Sequence, residues 1–270
     1  METLRPSDPS AIGRWRIVAR LSAGGSTDVF CAIDDDGRRA AIKALGPWVA
    51  ADPALRRRLE VEADALERCG VDGVARLVEI DVDGPLPYLA TELVAGPDLR
   101  ARLRHGPLGC GDALAIGTTL ARTLAAVHAR GLVHGDVKPA NVVLGPDGPV
   151  LVDFGLATHL ADLECTRPGA FAGSPGWIAP EQVRGEDLTA AVDVFGWGGT
   201  IAFVSSGRSP FGDGRADALC YRAVHEEPDL SGVCDDLRPA IAAALVKDRA
   251  GRPTAAQLAA MLAGGVRSIA

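Results

Sequence analysis

The chain reads LVHGDVKPANVVL from Leu132 to Leu144, and this stretch decides how the rest of it is interpreted. Asp136, Lys138 and Asn141 are polar residues placed between apolar runs on either side. Polar groups in such a setting are costly to bury unless they have partners. Turn capping by the Asp and Asn side chains is the structural alternative. The pattern favours a compact polar turn whose side chains carry chemistry.

A further polar residue follows at Asp153, twelve residues after Asn141, in the run VDFG. Amide and carboxylate oxygens are hard ligands suited to Mg²⁺, which binds few protein groups together with substrate phosphates. Asn141 and Asp153 are therefore residue types suited to Mg²⁺ bound together with phosphate, and turn capping is again the structural alternative.

Residues that suit phosphate binding occur earlier in the chain. The run LSAGGSTDVF, residues 21–30, is called the glycine-rich segment here, and glycines let backbone N–H groups approach a phosphate closely. A Gly-Gly hairpin turn explains the same residues equally well. Lys43 ends an apolar strand, and Glu62 lies three residues after Leu59, beside the apolar stripe of a predicted helix. Glu62 could pair with Lys43 and hold its ammonium group toward phosphate oxygens, whereas a strand-end lysine that reaches water is the alternative.

The order of predicted elements indicates an α+β fold with a small β-rich lobe followed by a larger α-helical lobe. The one early helix should begin at Asp52-Pro53 and end at Gly70, since Asp is a good N-cap, Pro suits the first turn and Gly ends helices. Helical spacing of apolar residues dominates from about Gly96 onward. The predicted strands are residues 14–21, 28–35, 38–45, 74–82 and 87–93, and the predicted later helices are residues 112–129, 186–206, 215–226, 236–247 and 254–263.

Composition and charge exclude several classes of function. The 270 residues have a net charge of −7 and 47% hydrophobic residues, which is typical of a globular protein and argues against a nucleic-acid partner. The longest uncharged run, Val194 to Gly207, has 14 residues and is too short for a membrane span. The six cysteines lack the spacing of a metal or redox site, so we expect reduced thiols in a cytoplasmic protein.

The motifs LSAGGSTDV, AAIK, HGDVKPAN, DFG and APE occur in the order of the protein-kinase signature set. The chain resembles that family from about Trp15 to Leu262. It is most similar to the bacterial (Hanks-type) serine/threonine protein kinases. Their characteristic sequences at the end of the activation segment and in the final helices are matched by GSPGWIAPEQ, GRSPFGDG and KDRAGRPTAAQL.

The resemblance implies the bilobal protein-kinase fold and its reaction. Residues 1–12 would be a flexible tail, residues 13–94 the N-lobe, residues 95–263 the C-lobe and residues 264–270 a C-terminal tail. The domain would transfer the γ-phosphate of ATP to serine or threonine hydroxyls of protein substrates, with Mg²⁺ as the metal and Mn²⁺ as a substitute. It would act in the cytoplasm, alone or as the cytosolic part of a longer membrane-anchored protein, and could form a homodimer through the N-lobe.

The resemblance also assigns roles to the polar turn. Asp136 would accept the proton of the substrate hydroxyl, and Lys138 would neutralise the γ-phosphate. Asn141 and Asp153 would be the metal ligands. A lysine two residues after the catalytic Asp is the serine/threonine form of this loop. His134 is interpreted as a structural member of the turn.

In the N-lobe, Lys43 would contact the α- and β-phosphates while paired with Glu62. The other positions that match ATP-binding positions of the family are in the glycine-rich segment, the adenine pocket and the hinge: Leu21, Ser22, Ala23, Gly24, Gly25, Val29, Ala41, Thr91, Glu92, Val94 and Val143.

Three further positions match supporting residues of the family. Glu181 and Arg252 match an ion pair that ties the activation segment to the C-lobe. Asp193 matches the helix residue that braces the catalytic loop.

The chain departs from the family pattern at several positions. Ser22 and Thr27 stand where the first and third glycines of the phosphate loop are usual. Gly135 replaces an arginine that is common in regulated kinases, and Ser174 replaces a threonine. The candidate autophosphorylation sites are Thr158, Thr166, Ser7 and Ser10.

Two other functions compete with the kinase interpretation. A pseudokinase would bind partners without catalysis, and the loss of two loop glycines favours it slightly. A small-molecule phosphotransferase would share the His-Gly-Asp turn but would lack Lys138 and the APE motif, which build a platform for a peptide.

Overall fold

The computed structural model describes residues 2–23, 27–154 and 176–265. Two compact units are present, one formed by Met1–Gly70 with Ala75–Val94 and the other by Val71–Val74 with Ala95–Ala270. They are called the N-terminal unit and the C-terminal unit below.

The N-terminal unit is an antiparallel sheet of six strands with one helix. The strand order is β1-β2-β3-β4-β6-β5. Alternate residues of the strands, such as Phe30, Ile42 and Tyr88, are buried in one core together with Trp15. The strands are β1 Ala11–Ile12, β2 Trp15–Ala23, β3 Thr27–Ile33, β4 Arg39–Leu45, β5 Leu77–Asp81 and β6 Tyr88–Glu92.

Helix α1 spans Pro53–Cys69 and has the bounds that the capping residues predict. The side chain of Asp52 accepts a hydrogen bond from the backbone N–H of Ala54, and Gly70 ends the helix in the left-handed conformation with φ 48°. Leu59 and Glu62 are both buried on this helix. The predicted apolar stripe therefore carries the carboxylate into the interior of the unit.

The C-terminal unit is mainly helical. Its central helix α5 is buried on nearly every side, and the indole N–H of Trp197 donates to the carbonyl of Gly117 on α3 at 2.9 Å. The helices are α2 Leu99–Leu103, α3 Cys110–His128, α4 Pro180–Val183, α5 Ala190–Ser206, α6 Ala216–His225, α7 Arg238–Ala244 and α8 Ala255–Gly265. A hairpin of β7 Val142–Gly145 and β8 Gly148–Leu151 and two short 3₁₀ turns, Pro139–Asn141 and Arg249–Gly251, complete the unit.

Every predicted strand and helix has a counterpart, but the chain ends differ from expectation. Residues 2–12, expected to form a loose tail, contain β1 and a second pairing in which Glu2 and Arg20 exchange two backbone hydrogen bonds. Helix α8 runs to Gly265, two residues past the expected boundary of the domain. The short helices α2 and α4 had no sequence signal long enough to predict them.

The expectation that all cysteines are reduced is wrong for one pair. Cys110 at the start of α3 and Cys234 before α7 form a disulfide, with their Cα atoms 5.9 Å apart. The two residues are 124 positions apart in sequence, so only folding brings them together. Cys31 and Cys220 are buried thiols, and burial raises the pKa of each.

Within the described ranges, none of the helices is both long and apolar enough to cross a membrane.

Candidate active site

The polar turn predicted from the sequence is held by hydrogen bonds among its own side chains. The ammonium group of Lys138 lies 2.5 Å from Oδ2 of Asp136, and Nδ2 of Asn141 donates to the same oxygen at 2.9 Å. Nδ2 of Asn141 also donates to the backbone carbonyl of Asp136 at 2.9 Å. Oδ1 of Asp136 receives no hydrogen bond from the described residues, and the Asp136 side chain is 28% exposed. The turn therefore presents one fixed carboxylate oxygen that can accept a proton.

Asp193 of α5 braces this turn by accepting hydrogen bonds from its backbone. Its carboxylate is fully buried and accepts the backbone N–H groups of His134 at 2.9 Å and Gly135 at 2.7 Å. Nε2 of His128 lies 2.8 Å from the same carboxylate. The bracing expected for Asp193 is present, while the contribution of His128 was not predicted.

The backbone of Gly135 is held from both sides. Gln182 of α4 donates to its carbonyl at 3.0 Å, and the φ of Gly135 is 81°, a conformation that suits glycine. A second glycine, Gly196 of α5, allows the helix to approach, because a Cβ there would lie 2.6 Å from the carbonyl of Val137. The close approach of α5 explains how Asp193 reaches the turn.

His134 is a structural residue of the turn. It is fully buried, its ring centroid is 4.9 Å from that of Phe154, and its Nδ1 accepts the backbone N–H of Asp136 at 3.3 Å. Burial lowers the pKa of His134, so the ring stays neutral near pH 7. A neutral, enclosed ring fixes the backbone of Asp136 and does not exchange protons with substrate.

Asp153 follows β8 and adopts φ 54°, which makes it the one residue other than glycine with positive φ in the described part of the chain. Such a conformation is costly and is found at functional sites. The backbone N–H of the preceding residue, Val152, donates to the carbonyl of Asn141 at 3.0 Å, so the two predicted metal ligands are carried by adjacent backbone.

The side chains of Asn141 and Asp153 have the chemistry that suits a hard cation. Nδ2 of Asn141 is already used by Asp136, and this leaves the amide oxygen Oδ1 as an available ligand. One amide oxygen and one carboxylate fit Mg²⁺, which takes the rest of its ligands from phosphates and water. The described residues contain no cluster of three or more His, Cys, Asp or Glu side chains that would form a metal site without phosphate.

The N-terminal unit contains the predicted ion pair. Lys43 on β4 places its ammonium group 2.9 Å from both carboxylate oxygens of Glu62 on α1. Both side chains are mostly buried. The pairing predicted from the sequence is confirmed, and it holds the lysine in one position on the sheet.

The remaining predicted ATP-binding residues are distributed over both units. Ala41 pairs with Thr91 across strands β4 and β6, and Ser22 pairs with Val29 across β2 and β3. Thr27 pairs with Leu45, so the two positions that lost glycine are ordinary strand residues. Within the N-terminal unit Leu21 and Ala23 are on β2, Glu92 ends β6 and Val94 follows it, whereas Val143 is on β7 of the C-terminal unit.

The ion pair expected between Glu181 and Arg252 is present and completely enclosed. The guanidinium donates to both carboxylate oxygens, at 2.5 and 2.8 Å, and also to the carbonyl of Ala191 at 2.9 Å. Its carbon lies 4.9 Å from the ring centroid of Phe195. The pair fixes α4, and with it Gln182, in the C-terminal unit.

Several predicted residues are outside the described ranges: Gly24, Gly25, Thr158, Thr166 and Ser174. Ser7 and Ser10 are exposed in the N-terminal unit.

Sequence reasoning missed two parts of the arrangement. Gln182 and His128 both support the turn. The one sequence signal for Gln182 was its place directly after the APE motif, and the one for His128 was its place at the end of an otherwise apolar helix. The ion network of Asp8, Arg20 and Asp28 beside the glycine-rich segment was also missed, because only Asp28 lies in a matched motif and nothing local pairs it with Arg20 or Asp8.

A carboxylate held by a lysine and an asparagine, an Asn–Asp pair on adjacent backbone and, in the other unit, a Lys–Glu pair are the polar residues that the protein-kinase signature set contains. The model of the protein kinase domain family matches residues 15–261, and the chain therefore belongs to that family.

Curated relatives are similar over nearly the whole chain. The probable serine/threonine-protein kinase PkwA of Thermomonospora curvata is 38% identical over 263 residues, which are 97% of this chain and 35% of the relative. AfsK of Streptomyces coelicolor is 34% identical, covering 97% of this chain and 33% of its own length. PknA of Mycobacterium tuberculosis is 34% identical over 93% of this chain and 62% of its own length. The chain thus spans about one third of the first two relatives.

The fold is confirmed by a solved structure. The kinase domain of Mycobacterium tuberculosis PknI aligns with a TM-score of 0.74 over 94% of this chain and 97% of that domain, at 24% identity.

Proposed function

We propose that this domain transfers the γ-phosphate of ATP to serine or threonine hydroxyls of proteins. The observation that carries the proposal is the hydrogen bonding of Asp136, in which Lys138 and Asn141 both occupy Oδ2 and leave Oδ1 for a substrate hydroxyl. The relatives PkwA, AfsK and PknA are named as serine/threonine-protein kinases, which supports the acceptor class.

Asp136 would act as the base of the reaction. Its Oδ1 accepts the proton of the hydroxyl as the substrate oxygen bonds to the γ-phosphorus and the bond to the β–γ bridging oxygen breaks, which releases ADP. Lys138 lies close enough to Asp136 to contact the transferred phosphoryl group and reduce its charge. Asp193 and Gln182 keep the turn in place during the step, because they bind its backbone.

The two remaining pairs would bind the nucleotide. Lys43 would donate to the α- and β-phosphates, and Glu62 prevents its long side chain from sampling other positions. Asn141 and Asp153 would hold Mg²⁺, which neutralises phosphate charge when bound. Mn²⁺ prefers similar oxygen ligands and would substitute for it. The predicted adenine contacts of Leu21, Val29, Ala41 and Val143 and the predicted hinge at Glu92–Val94 belong to the same proposal.

The two alternative functions are less well supported. A pseudokinase would be expected to lack at least one of the polar residues used for catalysis. All six are present: Lys43, Glu62, Asp136, Lys138, Asn141 and Asp153. A small-molecule phosphotransferase needs no platform for a peptide, whereas here the buried pair of Glu181 and Arg252 fixes the segment that follows residues 155–175.

We also propose that the domain acts in the cytoplasm, where ATP and Mg²⁺ are supplied, although the Cys110–Cys234 disulfide is of a kind that is rare there. A homodimer through the N-terminal unit belongs to the same proposal. The exposed face of α1 carries both signs of charge, in the pairs Arg57–Glu60 and Arg68–Asp64, which a second copy could meet with opposite charges.

The test is the variant Asp136→Asn, which keeps the shape of the side chain but removes its basicity. We expect transfer from labelled ATP with Mg²⁺ to a generic protein substrate to fall on the order of 100-fold or more, with ATP binding retained. Asp147→Asn, an exposed residue in the adjoining β7–β8 turn, is the matched control and should keep full activity.

Three results would contradict the proposal. A parent protein that binds ATP and Mg²⁺ but phosphorylates neither itself nor any protein would be a pseudokinase. Transfer to small alcohols alone would indicate a small-molecule phosphotransferase. Mass spectrometry that found phosphotyrosine as the sole product would refute the acceptor class.

A further inference from the structure

Residues 2–12, called the N-terminal segment here, lie outside the residues that match the family, which begin at Trp15. The segment nevertheless follows the edge of β2. Ala11 pairs with Arg16, and Glu2 pairs with Arg20. The backbone N–H of Ile17 also donates to the backbone carbonyl of Ser10 at 3.0 Å. The N-terminal segment is therefore held along the edge of β2 by strand β1 and by a separate β-bridge at Glu2.

A buried ion network fastens this segment to two strands at once. The guanidinium of Arg20 on β2 binds both carboxylate oxygens of Asp8 and also lies 2.5 Å from Oδ1 of Asp28 on β3. The side chains of Arg20 and Asp8 are only 4% and 2% exposed. Asp8 and Arg20 are thus nearly closed to solvent, whereas the Asp28 side chain is 30% exposed and forms the outer end of the network.

Further contacts fix the geometry of the network. The carbon of the Arg20 guanidinium lies 4.8 Å from the ring centroid of Phe30, and Oδ2 of Asp8 accepts the backbone N–H of Arg5 at 2.8 Å. The hydrogen bond from Arg20 lowers the pKa of the Asp8 carboxyl, which therefore stays charged near pH 7. Loss of Arg20 would leave the buried Asp8 carboxylate without compensation, which is strongly unfavourable, whereas loss of one carboxylate leaves Arg20 with a single partner and frees one side of the network.

The network lies where the glycine-rich segment begins and ends. Strand β2 ends at Ala23 and β3 begins at Thr27, and Asp28 pairs with Ala23 in the register of the two strands. Arg20 pairs with Phe30 in the same ladder. A change in the network thus acts directly on the spacing and twist of the strands on both sides of residues 24–26.

We propose that the Asp8–Arg20–Asp28 network positions the glycine-rich segment for the phosphates of ATP, so that the N-terminal segment helps to set the affinity for nucleotide. The inference rests on the proposed function, in which the glycine-rich segment binds ATP phosphates. Asp8, Arg20 and Asp28 are positioning residues, since they act through the strands.

The experiment compares the binding of ATP with Mg²⁺ and of adenosine to the parent and to Asp8→Asn, each by direct titration. Adenosine lacks the phosphates that the glycine-rich segment would contact. We expect the Kd for ATP to rise about tenfold in the variant while the Kd for adenosine changes by less than about twofold. Asp35→Asn, at an exposed position beyond the other end of β3, is the matched control and should change neither Kd.

Each other outcome has a definite meaning. Equal weakening of ATP and adenosine, or no weakening of either, would overturn the positioning role. If the parent itself fails to bind ATP, the proposed function fails instead, and the two failures are thereby distinguished. Should Asp8→Asn not fold, Asp28→Asn gives the same test with the Asp8–Arg20 pair intact, and the same selective loss for ATP is required.

Discussion

Replacement of Asp193 by asparagine is the most informative single perturbation of the C-terminal unit. The carboxylate accepts two backbone N–H groups, from His134 and Gly135, and contacts the ring of His128. An asparagine has one accepting oxygen and one NH₂ group that can only donate. Whichever way the amide is turned, one buried backbone N–H therefore faces another donor.

The expected loss of stability follows from this count. An unsatisfied buried donor costs about 1–3 kcal/mol, and the remaining hydrogen bond loses about 1 kcal/mol when its acceptor is no longer charged. The sum is about 3 kcal/mol, which corresponds to a fall in Tm of roughly 6–12 °C for a protein of this size. The total stability of a domain is usually about 5–15 kcal/mol, so the variant should still fold.

The effect on activity should exceed the effect on stability. The two braced N–H groups belong to the residues directly before Asp136, and a displacement of about 1 Å at a catalytic group can cost about 100-fold in rate. We expect kcat on a protein substrate to fall by about that factor while the Kd for ATP changes only a few-fold.

Urea unfolding and initial rates of phosphoryl transfer measure the two effects. Asp217→Asn is the control, since Asp217 is an exposed residue of α6 that pairs with Arg215 on the surface, and it should leave the urea midpoint and the initial rate unchanged. A variant Asp193→Asn that loses less than about 1 kcal/mol and keeps near-parental kcat would show that the bracing hydrogen bonds do not position Asp136.

Two further predictions concern the disulfide and the phosphorylation of threonine. Cys234→Ser removes the disulfide to Cys110, which closes a loop of 124 residues, and should lower the stability measured without reductant by about 5 kcal/mol. Parent and variant should unfold alike once reductant is added, and failure to recover a linked Cys110–Cys234 peptide by mass spectrometry would contradict the pairing. Thr158→Ala combined with Thr166→Ala should keep activity within a few-fold, because Gly135 offers no guanidinium to pair with a phosphate there. A drop of about 100-fold in initial rate after dephosphorylation of the parent, equivalent to about 2.7 kcal/mol of barrier, would show that another cation takes that role.

Features that depend on neighbouring residues were predictable from the sequence. The bounds of α1 follow from Asp52-Pro53 and Gly70, and the structure reproduces them. The polar turn from Asp136 to Asn141 spans six positions, so its residue types and spacing already contained most of its hydrogen bonds. The order of the motifs was sufficient to assign the family that the comparison confirms.

The pairing of Lys43 with Glu62 is an intermediate case. Nineteen positions separate the two residues, but one lies on a strand and the other on a buried helical stripe, and the resemblance to kinases joins them. Their roles with ATP stay a prediction.

The contact of Asp193 with the turn, 58 positions from Gly135, was implied by the family resemblance. Other contacts between distant segments were decided only by the tertiary structure: Gln182 holds the turn from 47 positions away from Gly135, and the disulfide joins residues 124 apart. The N-terminal segment, expected to be a loose tail, is held by the buried pairing of Asp8 with Arg20. A sequence pattern encodes how a residue relates to its next few neighbours along a helix, strand or turn. The partner of a buried charge or thiol depends instead on which surfaces meet when those elements pack. The close packing of the whole core determines those surfaces.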